Sequence, residues 1–297
     1  MRTAVATESN RLIGSVASDG TTGRSLAFPI PCRRRRRPYD ACGGSLTVHD
    51  VTFRERAIHL EPSGVLALAD LHVGRDEASS VSFPLGERDD LTDRFAALLS
   101  RFDPDTVVFA GDIVHTFDGV SEHSRDALAD LARLPADVDV DLVMVAGNHD
   151  TALATAWDGP IHDEYVLERG GYVDGDDAER GRCGEVPGGR TVVCHGHEPP
   201  ETAASRYVLG HVHPTIEIEG NRHPCVLFGE GTYRGADVVL LPAFNRLAPG
   251  VVVNDMDADE FDTPLVTDPD RLRPFVYDPD SQETLRFPPL GEFRDLL

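Results

Sequence analysis

Histidine, aspartate and asparagine residues follow short apolar runs at five places along the chain. In chain order they form Asp70-Leu71-His72, Gly111-Asp112, Gly147-Asn148-His149-Asp150, His195-Gly196-His197 and Gly210-His211-Val212-His213. Imidazole nitrogens and carboxylate or amide oxygens are typical ligands of divalent transition metals. One such residue has a simple structural explanation, since a lone His is usually a satisfied core or surface group. Five clusters in the same local setting instead predict one shared metal site.

Each cluster is preceded by a run with the length and composition of a buried strand. The predicted strands are Val65–Ala69, Thr106–Ala110, Leu142–Ala146, Thr191–Cys194 and Tyr207–Leu209. In layered α/β folds, sites form in the crevice beyond the carboxyl ends of such strands. We therefore expect the five clusters to converge although they are far apart in sequence.

The residue types favour a centre with two metal ions. Two ions about 3.5–4 Å apart stabilise both the attacking and the leaving oxygen of an in-line displacement. They need a shared anionic ligand, and because a carboxylate can bridge whereas an imidazole cannot, Asp112 is the expected bridge. Asp70 and His72 project to the same side of an extended segment and can hold one ion. His211 and His213 have the same spacing and can be divided between the ions.

Periodicity supplies the remaining elements. Arg88–Phe102 and Ser121–Leu134 have the apolar spacing of amphipathic helices, and Ala152–Trp157 is predicted to be a short one. A hairpin is expected to lead through Ala57–Leu60 into the first core strand, whereas the second half of the chain is rich in strands. At 297 residues the chain can bury one sizeable core. A two-sheet sandwich flanked by helices is the expected fold.

The overall charge restricts the partners. The formal net charge is −23, and all 28 basic residues are arginines. Such an acidic excess suits a salt-rich cytoplasm, where charges are screened, and we expect a cytoplasmic protein of a halophilic archaeon. The surface offers no broad electrostatic attraction to nucleic acid. Phosphate binding is therefore expected to be local, through metals and a few arginines.

Residues 1–45 differ in composition from the rest and are predicted to be a disordered, Arg-rich extension. The run Arg33–Arg37 could be part of a twin-arginine export signal or a nucleic-acid patch, but the apolar segment of an export signal does not follow it. Translation starting near Val48 is an equal alternative, which the mass of the native protein would decide. Residues 46–297 are expected to form a single domain with a Pro/Asp-rich C-terminal tail. No apolar run approaches the roughly 20 residues of a membrane span.

The five clusters resemble the motifs of the calcineurin-like metallophosphoesterases. The resemblance covers residues 50–297 and extends to Pro84-Leu85-Gly86, Pro224-Cys225 and Leu241-Pro242-Ala243-Phe244. Within the superfamily it is nearest to the archaeal branch related to the Mre11/SbcD nucleases, and ligase-associated endonucleases of the PdeM type are similar too. The resemblance implies a four-layer α/β/β/α sandwich with two divalent metal ions, Mn²⁺ in the first place and Fe²⁺ or Zn²⁺ otherwise.

The resemblance also implies roles for individual residues. One ion would be held by Asp70, His72, Asp112 and His213, and the other by Asp112, Asn148, His195 and His211. His195 is preferred to His197 only by the family pattern, since the residues alone leave both open. His149 would protonate the leaving oxygen or stabilise the transition state, with Asp150 orienting it. Arg75, His115 and His197 are candidates for contact with substrate, although a structural role for them is equally open.

The expected reaction is hydrolysis of a phosphodiester, at nucleic-acid ends as in a DNA repair nuclease. The alternative is a phosphodiesterase or phosphomonoesterase that acts on a small nucleotide. Association with DNA repair proteins is a further expectation, and the oligomeric state is not predicted. Nuclease relatives carry an additional DNA-binding domain, whereas the roughly 84 residues after His213 are expected to be used by the core and the tail. Together with the acidic surface, this argues against extensive binding of a duplex. An amidohydrolase would have a His-x-His pair on its first strand, where this chain has Asp70-Leu71-His72. An inactive scaffold of the same fold would usually have lost some of the ligands.

Overall fold

The computed structural model describes residues 47–48, 50–78, 86–116, 119–167 and 189–296. These residues belong to one structural unit, Cys42–Leu297. The predictions for residues 1–45 and for Pro84-Leu85 lie outside the described residues. None of the described helices is long and apolar enough to cross a membrane.

The first sheet contains seven strands in sequential order. They are β1 (Thr47–Val48), β2 (Val51–Arg54), β3 (Ala57–Leu60), β4 (Val65–Leu68), β5 (Thr106–Ala110), β6 (Asp141–Val145) and β7 (Ile161–His162). The pairs β1–β2, β2–β3 and β3–β4 are antiparallel, as the predicted hairpin requires. The pairs β4–β5, β5–β6 and β6–β7 are parallel. The carboxyl ends of β4, β5 and β6 therefore lie at one edge of the sheet.

Two helices connect the parallel strands and cover the outer face of this sheet. Helix α1 (Glu87–Phe102) buries an apolar stripe that includes Phe95 and Leu98, and it ends at Asp103, ahead of Pro104. Helix α2 (Glu122–Ala136) begins after Ser121, whose side chain accepts a hydrogen bond from the Ser124 N–H. Both helices agree with the sequence prediction to within two residues. The predicted helix at 152–157 is instead a 3-10 helix, Asp150–Thr155.

The described residues of the second half of the chain form ten further strands. They are β8 (Glu164–Leu167), β9 (Thr191–Cys194), β10 (Arg206–Leu209), β11 (Pro214–Ile218), β12 (Asn221–Pro224), β13 (Val226–Tyr233), β14 (Ala236–Leu240), β15 (Val251–Val252), β16 (Arg273–Asp278) and β17 (Glu283–Arg286). Seven of them form the second sheet, in the order β17-β16-β13-β14-β10-β9-β8, and β12-β11-β15 form a small third sheet. Strands β9, β10 and β14 are parallel, so their carboxyl ends also share one edge.

The two large sheets pack face to face around an apolar layer. Its members come from both sheets and include Phe53, Ile58, Val108, Val145, Val193, Val208, Val239 and Phe275. A second apolar cluster lies between the first sheet and α1 and α2, and a third covers the outer face of the second sheet. The predicted α/β sandwich is thus confirmed. Among the described residues, the outer layer over the second sheet consists of the third sheet, irregular segments and the one-turn helix α3 (Leu290–Phe293).

The C-terminal region does more than the predicted tail. Strands β16 and β17 lie within it and extend the second sheet, and Thr284 donates a buried hydrogen bond to the carbonyl of Phe53 in the first sheet. These strands were not predicted from the sequence because they are short and flanked by Pro and Asp. Leu290 and Phe293 then pack on the second sheet.

The first prediction tests whether these C-terminal strands belong to the core. Phe275 on β16 is 1% exposed, and its ring centroid lies 4.8 Å from that of Phe53. Phe275→Ala is expected to lower the free energy of unfolding by about 3–5 kcal/mol, measured by chemical denaturation at fixed salt. The control is Leu285→Ala on β17, where the side chain is 44% exposed and the change should stay within about 0.5 kcal/mol. Equal effects of the two variants would contradict this packing.

Candidate metal centre

The five clusters of Asp, Asn and His meet at one edge of the sandwich. Each follows the carboxyl end of a parallel strand, three in the first sheet and two in the second. Asp70 joins the two sheets, because its carboxylate accepts a hydrogen bond from the His211 N–H at 3.0 Å. Within the first sheet, the His72 N–H donates to the Asp112 carbonyl at 2.8 Å. The predicted convergence is therefore present in the fold.

One group of side chains contains Asp70, His72 and His213, whose potential ligand atoms lie within 4.8 Å of one another. His213 Nε2 is 3.2 Å from Asp70 Oδ1, and it is 3.4 Å from His72 Nε2. His72 Nε2 is also 3.8 Å from Asp112 Oδ2. These four residues are the set predicted for the first ion.

A second group faces the other oxygen of Asp112. His195 Nε2 is 3.3 Å from Asp112 Oδ1, 2.9 Å from Asn148 Oδ1 and 3.2 Å from His211 Nδ1. These are the residues predicted for the second ion. Asp112 thus has one carboxylate oxygen near each group, which is the geometry expected of a bridging ligand.

The structure distinguishes the two histidines that the sequence left open. The side chain of His195 is 1% exposed and faces Asp112, whereas His197 lies on the exposed side with its ring centroid 5.2 Å from that of His195. This geometry supports His195 as the ligand. His197 is placed at the rim, where contact with a substrate is feasible.

The arrangement of nitrogens fits divalent cations. Two nitrogens each about 2.1 Å from one tetrahedral ion lie roughly 3.4 Å apart. The His72–His213 and His211–His195 nitrogen pairs are 3.4 Å and 3.2 Å apart. Facing imidazole nitrogens at this distance can share one proton at most, but both can donate lone pairs to a common cation.

The pKa values of the site residues also favour the binding of cations. Burial lowers the pKa of His72 to about 3 and that of His195 to about 4, so both rings are neutral at neutral pH, the form that binds metal. Burial also raises the pKa of Asp112 to about 7, and the negative charges of Asp70 and Asp150 add to this shift. A cation beside these carboxylates would stabilise their charged forms.

The backbone of the site is strained. The predicted ligands Asp70, His72, Asp112, His211 and His213 all have φ between +42° and +67°. This left-handed conformation costs a non-glycine residue of order 1 kcal/mol or more, and it concentrates at functional sites. Because five ligands adopt this unfavourable conformation together, the fold keeps their side chains pointing in these directions for a purpose other than stability.

Two glycines allow the ligands to approach the backbone closely. A Cβ on Gly111 would lie 2.2 Å from His195 Nδ1, and a Cβ on Gly147 would lie 2.2 Å from both the backbone nitrogen and Oδ1 of Asp112. Any larger residue at either position would push a predicted ligand aside. The sequence signal for these positions was the glycine at each strand end.

His149 and two neighbours flank the site. The His149 N–H donates to Asp112 Oδ1 at 2.9 Å, and its ring lies edge-on to His72 at 5.4 Å. His115 stacks in parallel with His149 at 6.2 Å, and its Nδ1 is 3.5 Å from an Arg75 nitrogen. Arg75 is held in turn by the carbonyl of Leu247 at 2.9 Å. The three side chains are therefore placed where a phosphate could contact them.

The Asp150 carboxylate is buried and binds the loop backbone. One of its oxygens accepts hydrogen bonds from the Ile113 and Val114 N–H groups, and the other accepts from the Gly147 N–H. These bonds tie together the two loops that carry Asp112 and Asn148. The geometry therefore supports Asp150 as a positioning residue for the loops, and its role in orienting His149 stays a prediction.

Sequence reasoning missed two buried residues that support the site. Asn245, 1% exposed, donates to the Leu71 carbonyl at 2.8 Å and to Glu87 Oε1 at 2.6 Å. Glu87 Oε2 accepts from the Gly74 N–H at 2.9 Å. Together they hold the loop that contains Asp70 and His72. Asn245 directly follows the motif Leu241–Phe244, and this position was the only available signal.

The fold and the site define a metal-dependent phosphoesterase. The profile of the calcineurin-like phosphoesterase family matches residues 64–245, which include all seven predicted ligands. The chain therefore belongs to the calcineurin-like phosphoesterase family, a family of hydrolases that act on phosphoester bonds with a dinuclear metal centre. A search of curated proteins finds no match.

Three solved structures are similar to the chain. Nuclease MPE from Pseudomonas putida is 22% identical, with 76% of this chain and 91% of that chain covered and a TM-score of 0.48. The phosphoesterase YfcE from E. coli is 14% identical, with 73% and 88% covered and a TM-score of 0.36. A dimetal phosphatase from Danio rerio is 18% identical, with 43% and 42% covered and a TM-score of 0.24.

The second prediction tests the close approach at Gly147. Gly147→Ala is expected to displace Asp112, with loss of most bound metal and a fall in turnover of at least about 100-fold. Metal content is measured by elemental mass spectrometry, and turnover is measured with an aryl phosphodiester as substrate. The control is Gly220→Ala, where φ is +79° but a Cβ would meet nothing within 4 Å. That variant should lose about 1 kcal/mol of stability and keep its metal. Full metal occupancy in Gly147→Ala would show that the close approach of residue 147 to Asp112 does not restrict the site.

Proposed function

We propose that this protein hydrolyses phosphodiesters with two divalent metal ions, held as one set by Asp70, His72, Asp112 and His213 and as another by Asp112, Asn148, His195 and His211. The observation that carries the proposal is the position of Asp112, whose two oxygens face separate groups of histidines at 3.3 Å and 3.8 Å. An inactive scaffold would not need to keep both groups together at the cost of a strained backbone.

The side chains divide the work of the reaction. Bound together, two divalent cations make an attacking water more acidic and stabilise the entering and leaving oxygens of an in-line displacement. His149 is 26% exposed at its side chain, so it can meet the substrate while its N–H holds Asp112. We assign it to protonating the leaving oxygen or stabilising the transition state. Arg75 and His115 lie beside it and are assigned to a phosphate oxygen of the substrate.

The proposed substrate is a phosphodiester at the end of a nucleic acid, with a small nucleotide as the second candidate. Arg75 beside the histidine cluster supplies local positive charge, whereas the net charge of −23 opposes long contacts to a duplex. We further propose that the chain belongs to the archaeal branch related to the Mre11/SbcD nucleases and works beside DNA repair proteins. In this proposal it uses Mn²⁺, with Fe²⁺ or Zn²⁺ as alternatives, in a salt-rich cytoplasm.

The third prediction tests the bridge. Asp112→Ala is expected to lose both ions and turnover together, because each group of histidines then lacks its shared anionic ligand. Bound Mn²⁺ per chain and hydrolysis of an aryl phosphodiester are measured at fixed salt. The control is Asp158→Ala, an exposed carboxylate outside both groups of proposed ligands, which should retain both properties. Full occupancy in Asp112→Ala would contradict the bridging assignment.

The fourth prediction separates His149 from the ligands. His149→Ala is expected to lower turnover by about 10²–10⁴-fold, the usual contribution of a general acid, with metal content nearly unchanged. His162→Ala, on the exposed end of β7, serves as the matched histidine control and should have wild-type turnover. If His149→Ala loses its metal, then His149 acts by holding the centre and not in proton transfer.

A further inference from the structure

A second pocket opens beside the metal centre, with a cavity volume of about 460 Å³. We call it the Arg54 pocket. It is lined by Phe53, Arg54, Glu55, Arg56, His223, Pro224, Val226, Pro242, Arg246, Phe275, Val276, Tyr277 and Pro279. Its size falls in the range of small-molecule binding sites. The residues assigned to catalysis do not line it.

The pocket lies at the catalytic edge of the sandwich. The turn Arg54–Ala57 is beside the carboxyl end of β4, because β3 and β4 pair antiparallel with Ile58 opposite Ala67. β2 is two strands from β4 in the sheet order. Two strand spacings correspond to a lateral distance of about 10 Å between β2 and β4, the strand that leads to Asp70.

Two segments connect the walls of the pocket to the metal centre. Arg246 follows Asn245, whose N–H donates to the Asp70 carbonyl at 3.3 Å. On the other side, Pro224 precedes Cys225, whose N–H donates at 3.0 Å to the carbonyl of Pro214, the residue after His213. A molecule in the pocket would therefore lie against the same loops that hold the ligands Asp70 and His213.

The pocket is locally positive in a strongly acidic chain. Three arginines line it against one glutamate, Glu55. Arg246 is half exposed and makes ion pairs with Asp90 at 3.0 Å and Glu55 at 3.4 Å. Burial lowers the pKa of Arg56 to about 10, and the positive charges of Arg94 and Arg246 add to the effect. An anion at the mouth of the pocket would relieve this crowding of guanidinium groups.

The interior of the pocket is apolar and aromatic. Phe53 and Phe275 form a buried contact with ring centroids 4.8 Å apart. Above them the half-buried Tyr277 ring is covered by the Arg54 guanidinium, which lies 4.9 Å from the ring centroid. Arg54 is otherwise held by Gln282 through a long contact of 3.3 Å between side chains. Aromatic side chains with arginines at the rim match a ligand that has both a flat ring and a phosphate.

We propose that the Arg54 pocket binds a nucleoside phosphate unit of the substrate, with the base taking the place of the Arg54 guanidinium on the Tyr277 ring and the phosphate at Arg54 and Arg246. This proposal rests on the proposed phosphodiester hydrolysis, since it places the neighbouring nucleotide of the chain being cut. Base stacking on aromatic rings combined with arginine contacts to phosphate is the usual mode of binding single strands. The pocket would give an acidic protein a local hold on single-stranded ends without a basic surface.

Binding is tested directly on the Mn²⁺-loaded full chain. The probe is fluorescein-labelled tetrathymidylate with phosphorothioate linkages, which resist hydrolysis, and its anisotropy gives the affinity. The double variant Arg54→Gln, Arg246→Gln is expected to bind about tenfold more weakly. Its plot of log affinity against log salt should be less steep by about 0.7, because one phosphate contact is lost and each single-strand phosphate contact contributes roughly that much. Tyr277→Leu is expected to weaken binding by a similar factor through lost stacking, with its melting temperature measured alongside.

A matched control is present at the opposite edge. Arg234 lies 5.0 Å from the ring centroid of Tyr233, in the turn between β13 and β14, and repeats the Arg–Tyr contact away from the pocket. Arg234→Gln should bind the probe as the wild type does. Equal affinities of the wild type and the pocket variants, or no binding by the wild type, would overturn the proposal. So would competition by a polyglutamate peptide as strong as that by unlabelled tetrathymidylate, since the pocket would then bind acidic protein segments.

The test keeps the pocket and the proposed function separate. Thymidine monophosphate is used as a second competitor, and it should displace the probe if one nucleoside phosphate fills the pocket. If the wild type hydrolyses none of the phosphodiesters offered, that result would contradict the proposed function without changing the binding result. Hydrolysis with unaltered binding in the pocket variants would contradict the pocket alone.

Discussion

The burial of two carboxylates beside each other is the constraint on which the site depends. Asp70 is fully buried and Asp112 is 3% exposed, in the seam between the two sheets. Unpaired charges in such a place are costly, and the cost falls only if an opposite charge is close. His72 and His195 are neutral at neutral pH because burial lowers their pKa values, so these two rings can donate to cations but cannot neutralise the carboxylates. Divalent cations bound at this edge of the fold would supply the missing positive charge.

The strained loops and their supports follow from that constraint. Side chains from five strand ends can point into one small volume only if the backbone turns sharply, and five of the proposed ligands adopt positive φ to do so. Asp150 and the pair Glu87–Asn245 then fix those turns by accepting or donating hydrogen bonds to the loop backbone. The positive φ values of the ligands destabilise the fold, and the hydrogen bonds made by the supporting residues stabilise it. For this reason the supporting residues are buried although they are polar.

The sequence predicts the parts of this arrangement that depend on local pattern. The five strand ends with their His and Asp residues are visible because apolar runs and polar clusters alternate, and both long helices follow from their apolar spacing. The role of Asp150 was not predictable, since its partners Ile113 and Val114 are distant in sequence. Glu87 and Asn245 have no periodic signal for the same reason. Strands β16 and β17 were taken for a tail because their stability comes from the pairing of β16 with β13 and of β17 with β16 rather than from their own composition.

The most direct test is the number and coupling of Mn²⁺ ions bound by the wild-type chain. The chain is dialysed against Mn²⁺ at high salt, the bound ion is counted, and its electron paramagnetic resonance spectrum is recorded. Two ions per chain with the spectrum of a magnetically coupled pair are predicted, because Asp112 has one oxygen near each group of ligands. One isolated ion per chain, or none, would contradict the dinuclear centre.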